Sequence, residues 1–187
     1  MTHPLRPSAA PSRGRHQRTG EAGSAVSAWQ ARSDHAWRVL AAVPDPEVPV
    51  LSVVDLGLVR EVNCDDDGIE VVLTPTYSGC PATEIIESSV REALLAADLG
   101  PVRVITRRAP AWTTDWISDA GRAKLRDYGI APPGAVNNTL RFHPRTIDCP
   151  RCGSAHTERL SAFGSTACKA LYRCIDCREP FEHFKPI

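Results

Sequence analysis

The chain has 187 residues, 42% of them hydrophobic, with 22 basic and 22 acidic side chains and a formal charge of zero. That length suits one ordinary domain with a small module beside it and excludes two full domains. A neutral chain without long basic runs argues against nucleic acid as the main partner, and no apolar stretch approaches membrane-spanning length.

Residues 1–32 are predicted to form a disordered tail. They are rich in Pro, Ser, Ala, Gly and Arg, with Arg6, Arg13, Arg15 and Arg18 against the acid Glu21, and such a composition buries too little surface to order itself. An Arg-rich start also resembles an organelle transit peptide, but its prolines and glycines spoil an amphipathic helix, and nothing in it resembles a secretory signal.

A domain is expected over residues 33–131. Ser33 or Asp34 is a good N-cap, followed by Ala36, Val39, Leu40 and Val43 at helical spacing until Pro44. After the loop Asp45-Pro46-Glu47-Val48-Pro49, the β-branched runs Leu58 to Cys64 and Ile69 to Leu73 flank Asp67-Gly68 and read as a hairpin. The run Asp65-Asp66-Asp67 lacks the alternating spacing of a calcium loop and is read as turn chemistry. Thr76-Tyr77-Ser78-Gly79-Cys80-Pro81 leads into a helix with Ile86, Val90, Ala93, Leu94 and Ala97 on one stripe, ending at Gly100-Pro101. A strand over Val102 to Thr106 should pair with the hairpin, and a helix from about Ser118 to Tyr128 stops at Gly129. The fold class is α/β, a small two-layer α-β-β-α-β-α domain, with a linker at 132–146 and a four-cysteine zinc ribbon at 147–187.

The ribbon rests on Cys149-Pro150-Arg151-Cys152 and Cys174-Ile175-Asp176-Cys177. Two Cys-x-x-Cys turns each point a pair of sulfurs inward, so four thiolates complete a tetrahedron around a soft divalent ion, with zinc favoured over iron on frequency. The 21 residues between the pairs leave room for one strand out and one back. The segment has little apolar material, so the metal is expected to fold it, with a binding free energy of roughly 10 to 16 kcal/mol. A closed four-sulfur shell has no position for a catalytic water, which makes the ion structural. His143, His156, His183 and Cys168 lack paired spacing and are read as spectators. Seven cysteines, four in metal spacing, point to a reducing compartment, hence the cytoplasm.

In the domain, Cys80 stands out, because a thiol at a helix N-terminus meets unpaired backbone N–H groups that favour thiolate. It reads equally as a reactive thiol or metal ligand and as a small apolar side chain filling space under its loop. Cys64, at a strand end beside Val62, reads as structural. Trp112 and Trp116 read as core packing, with a partner surface as the alternative. Cys168 would join the thiol chemistry if the ribbon folded back on the domain; otherwise Gly164 simply turns the ribbon's hairpin.

Asp45-Pro46-Glu47, Val54-Asp55-Leu56-Gly57 and Leu73-Thr74-Pro75-Thr76-Tyr77-Ser78-Gly79-Cys80-Pro81 resemble the small metal-sulfur cluster assembly family, whose members help mature iron-sulfur proteins. The resemblance places the family's reactive cysteine on Cys80, its loop acids on Asp45 and Glu47, its aspartate on Asp55 and its helix-start threonine on Thr83. Ala109-Pro110-Ala111-Trp112-Thr113-Thr114-Asp115-Trp116, Gly129-Ile130-Ala131-Pro132-Pro133 and Phe163-Gly164-Ser165-Thr166-Ala167-Cys168-Lys169 further resemble the D-component family of the bacterial phenylacetyl-CoA epoxidase systems. In those systems a di-iron oxygenase epoxidises the ring and a flavin and iron-sulfur reductase supplies electrons.

The chain has no Glu-x-x-His pair of the di-iron type, no glycine-rich dinucleotide fingerprint and no ferredoxin cysteine spacing. The resemblance therefore implies an accessory protein of aerobic phenylacetate degradation rather than an enzyme. It would load or repair the iron-sulfur or iron centre of a client, with the reductase and oxygenase components as partners and iron or a cluster held transiently. A dimer or the client could supply the remaining ligands. The alternative is a non-catalytic structural component of the epoxidase complex. A thiol enzyme is disfavoured, since no histidine lies between His35 and His143 to serve as a base.

Overall fold

The computed structural model describes residues 21–77, 79–134 and 146–187, with side chains from residue 28 onward. Helix α1 spans Glu21–Leu40 and is followed by the strands β1 (Val59–Cys64) and β2 (Ile69–Leu73), helix α2 (Thr83–Ala96) and strand β3 (Val102–Thr106). A single 3-10 turn at Thr114–Trp116 precedes helix α3 (Asp119–Tyr128) and the two-residue strand β4 (Ile130–Ala131). The ribbon contributes β5 (Thr157–Ser161), β6 (Lys169–Cys174) and β7 (Pro180–Phe184).

β1 and β2 form the expected antiparallel hairpin, and β3 lies parallel to β2 with Val71 opposite Val104. The parallel pairing requires a crossover, and α2 provides it. β2 is the middle strand, which explains why its run Ile-Glu-Val-Val-Leu buries Val71 and Val72 completely. The stripe Ile86, Val90 and Leu94 of α2 packs on this sheet beside Ala36 and Leu40 of α1. α3 has the caps its sequence promised. Ser118 Oγ accepts from the Gly121 N–H at 2.9 Å, and Gly129 closes the helix at a φ of 93°.

One expectation fails at the start of α1. Ser33 and Asp34 do not cap the helix; it runs through them from Glu21, so of the expected tail, residues 21–32 are helical and 1–20 lie outside the described residues. Ala28, Gln30, Ala31 and Arg32 are good helix formers, and nothing among them breaks the ladder. Arg32 also donates to the carbonyls of Asp65 and Leu99, each at 2.9 Å, which ties this added stretch of helix to the tip of the hairpin and to the segment after α2.

The expected linker at 132–146 is described only at 132–134 and 146. Just before it, β4 enters the ribbon's own sheet, which has the order β4-β7-β6-β5 and pairs Ile130 with Glu182 and Ala131 with His183 in parallel. The ribbon therefore does not hang free. Phe184 and Cys168 belong to the main hydrophobic core with Leu40, Leu56 and Trp112, and the Trp112 and Phe184 rings stand 6.2 Å apart.

Candidate metal centre and thiol pocket

The ribbon cysteines come together as their spacing predicts. Cys149 sits in a turn closed by the Gly153 N–H on its carbonyl at 2.8 Å, with Gly153 at a φ of 74°. Cys174 ends β6, and the Cys177 N–H points at its sulfur at 3.5 Å. The Sγ atoms of Cys149 and Cys177 are 3.7 Å apart, those of Cys152 and Cys174 3.5 Å, and all four lie within 4.8 Å of one another. Four sulfurs about 2.3 Å from a tetrahedral ion would be about 3.8 Å apart, so the cage fits one metal ion. Its thiols share their protons unevenly: Cys174 is drawn down to about 7, chiefly by the Cys177 N–H. For Cys152 the Ser154 backbone hydrogen bond works downward, but Cys174, burial, Cys177 and Cys149 together outweigh it and push the thiol up to about 12. A divalent cation at the centre would remove that competition and hold all four as thiolates.

Of the residues read as spectators, none that the structure describes joins the four-sulfur group. The His156 ring faces Asp176 at 3.4 Å, His183 is buried in β7 with Nε2 lacking a protein partner, and His143 falls outside the described residues. Burial holds His183 neutral, with its pKa lowered to about 4.

The second site is a pocket at the start of α2, lined by Asp45, Glu47, Cys80, Thr83, Thr106 and Cys168 over a floor of Leu56, Leu58, Leu73 and Phe184. Cys80 is half-buried in the turn before α2, where the N-cap residue is Ala82 and no side chain caps the helix. Thr83 fixes this turn, because its hydroxyl donates to the Cys80 carbonyl at 2.9 Å. Asp45 shapes the opposite wall. Its Oδ1 accepts from the N–H groups of Glu47 at 2.9 Å and Val48 at 2.8 Å, and this loop carries Glu47 to the pocket. Burial raises the pKa of both carboxyls, and for Glu47 the neighbouring Asp45 adds to the effect.

Of the five residues taken from the family resemblance, four line this pocket and Asp55 does not. Its Oδ2 instead accepts from the Ser52 N–H at 3.0 Å, the Ser52 hydroxyl at 2.9 Å and the Lys124 ammonium at 2.7 Å. By spacing alone Cys168 is a spare ribbon thiol; the structure puts it in the pocket wall, 5% exposed. Thr106 escapes sequence reading altogether, since a threonine at a strand end has no signal of its own. Trp112 is buried, with its indole N–H donating to the Leu56 carbonyl at 2.9 Å, while Trp116 is partly buried beneath the Arg60 guanidinium.

Fold and site together define a cluster-assembly domain carrying a four-cysteine ribbon. Residues 33–104 match the model of the iron-sulfur cluster assembly protein family, and residues 133–185 match that of the PaaD zinc beta ribbon domain. The chain is 51% identical over 152 residues to the D component of 1,2-phenylacetyl-CoA epoxidase from Escherichia coli, covering 81% of this chain and 91% of that one. It is 39% identical over 100 residues to an Fe-S protein maturation auxiliary factor of Bacillus subtilis, covering 51% of this chain and 95% of the other. A domain of unknown function from Bacillus anthracis superposes with a TM-score of 0.50 at 27% identity, over 54% of this chain and 96% of its own. The chain belongs to the D-component family of the phenylacetyl-CoA epoxidases.

Proposed function

We propose that this protein is a non-catalytic accessory component of a phenylacetyl-CoA epoxidase system that loads or repairs the iron-sulfur or iron centre of a partner. One observation carries the reading: Cys80 shares a pocket with the carboxylates of Asp45 and Glu47. A thiol with two carboxylates suits iron in an open, exchangeable site, whereas a resident cluster needs a fuller ligand set. Relatives named as Fe-S maturation factors match about half of this chain, and residues 33–104, which carry Asp45, Glu47, Cys80 and Thr83 of the pocket, match the iron-sulfur cluster assembly family, which supports the same role. The epoxidase reductase, with its cluster, is the proposed client, and the oxygenase the alternative one. The ribbon holds zinc as a structural ion, and the compartment is the cytoplasm, where free thiols stay reduced.

The test is the iron and acid-labile sulfide content of the reductase purified from cells with the intact chain, its deletion, or Cys80→Ala. Cluster-poor reductase in both altered strains supports the reading. Fully loaded reductase in all three overturns it and leaves a purely structural component as the function.

A further inference from the structure

We infer that the pocket is a two-thiol site, in which Cys168 of the ribbon joins Cys80 of the domain as a ligand to a thiophilic metal cargo, ferrous iron or the iron of a cluster. This rests on the cargo reading above and adds the ligand that the domain alone lacks.

The two thiols are 88 positions apart in sequence and come from different parts of the fold, the turn before α2 and the turn before β6, yet line one pocket. Cys168 takes no part in the ribbon's metal cage. It is nonetheless held firmly: the Lys185 N–H donates to its carbonyl at 2.9 Å, and the Thr166 hydroxyl lies 3.0 Å from its sulfur. Its neighbour Lys169 is buried and ion-paired with Glu182 at 2.8 Å.

A thiol fixed this way, buried beside the Glu47 carboxylate, is poorly placed to ionise alone, because burial and the nearby negative charge both raise its pKa. A divalent cation in the pocket reverses that balance, since it is attracted to the same thiolates and carboxylates that repel one another. Among the described residues, the ribbon cage is the one group of three or more ligand atoms gathered within 4.8 Å, so the pocket side chains are not drawn together into a closed cage. An open pair leaves coordination positions for a client's own ligands, as transfer requires. It also makes the ribbon part of the cargo site, because the strand that starts next to Cys168 ends at Cys174, a ligand of the ribbon cage.

Cobalt(II) can be titrated anaerobically into the full chain with its ribbon metal in place, following the thiolate-to-cobalt absorption. The intact protein should take up one further cobalt per chain. Cys80→Ser and Cys168→Ser should each weaken that uptake at least tenfold, while Cys64→Ser leaves it unchanged. X-ray absorption at the cobalt edge of the intact protein provides a check that needs no variant, and should count two sulfurs. If Cys80→Ser abolishes uptake but Cys168→Ser leaves affinity and sulfur count intact, Cys168 is not a ligand and the Cys80 reading survives alone. If the intact protein takes up no further cobalt, or binds it with no sulfur, both readings fall.

Discussion

The Lys124 ammonium lies 2.7 Å from Oδ2 of Asp55, and this bond clasps the loop before β1 to helix α3. Asp55 also binds Ser52 of its own loop, and its backbone carbonyl accepts the Ser118 N–H at 2.9 Å, so one residue ties that loop to both the cap and the body of α3.

Burial works against the Asp55 carboxylate, but Lys124 and Ser52 together more than offset it and hold its pKa below the usual value. A carboxyl with a depressed folded-state pKa contributes stability that is present above its unfolded pKa and is lost as pH falls through the lower folded value. Asp55→Ala should cost about 1–3 kcal/mol at neutral pH, because Ser52 loses its acceptor in a buried place. Lys124→Met should cost less, about 0.5–1 kcal/mol, since the lysine is half exposed and solvent screens it. Urea unfolding at pH 7 and at pH 3 checks both, with the gap between Asp55→Ala and the natural chain narrowing at the acid end. An equal gap at the two pH values would show that the charge of Asp55 does not matter.

Gly57 and Gly153 both have positive φ, at 67° and 74°, but they should respond differently to alanine. A Cβ on Gly57 would stand 2.5 Å from the Trp116 carbonyl oxygen, whereas one on Gly153 would meet nothing within 4 Å. Gly153→Ala carries only the left-handed backbone penalty, about 1–2 kcal/mol. Gly57→Ala adds a clash with backbone that cannot rotate away, so its thermal midpoint should fall clearly further. Similar losses at both sites would mean that the Trp116 segment yields freely.

Much of this was legible because the deciding signals were local. Gly57 lies in a motif that stood out in the sequence, the α2 stripe repeats every four residues, and the four ribbon cysteines come in matched pairs. The rest depends on contacts between distant segments. Lys124 is 69 positions from Asp55, and no spacing rule links them. Ile130-Ala131 is too short for a periodic pattern, so its pairing with β7 left no trace in the sequence. Cys168 stays undecided in the sequence, a spare thiol or a partner in the thiol chemistry, for the same reason: only the docking of the ribbon brings it to the pocket of Cys80. The start of α1 is misplaced by sequence because Ser33 and Asp34 look like caps, while their side chains in fact serve Val62 and Gln30.

Trp112 anchors the junction of domain and ribbon. It is 4% exposed, bonds the Leu56 carbonyl and packs on Phe184. Trp112→Phe keeps most of the apolar contact but orphans the carbonyl, and should cost about 1–3 kcal/mol. Trp112→Ala also leaves a cavity and should cost about 3–5 kcal/mol. The order of the two variants in a denaturant melt is the test. If Phe and Ala are equally harmful, the hydrogen bond rather than the packing dominates.

Removing the ribbon's metal should be felt well beyond the ribbon. The cage pins the end of β6, and β6 pairs with β7 from Lys169 opposite Phe184 to Arg173 opposite Pro180. Phe184 at the end of that register belongs to the main core, as does Cys168 just before β6. Loss of the ion leaves thiols that repel one another when ionised, so the β5 to β7 meander should loosen and withdraw Phe184 from Trp112. The domain's thermal midpoint should then drop, by roughly 2–4 °C for each kcal/mol of lost packing in a chain of this size. Tryptophan emission should shift to longer wavelength as Trp112 meets water. Chelation of the intact chain and Cys152→Ser should give the same result, since each opens the cage while leaving Trp112 and Phe184 in place. If the midpoint and the emission stay where they were after the metal is gone, the ribbon is an independent module, and the shared core formed by Phe184, Trp112 and Cys168 contributes nothing to holding the domain together.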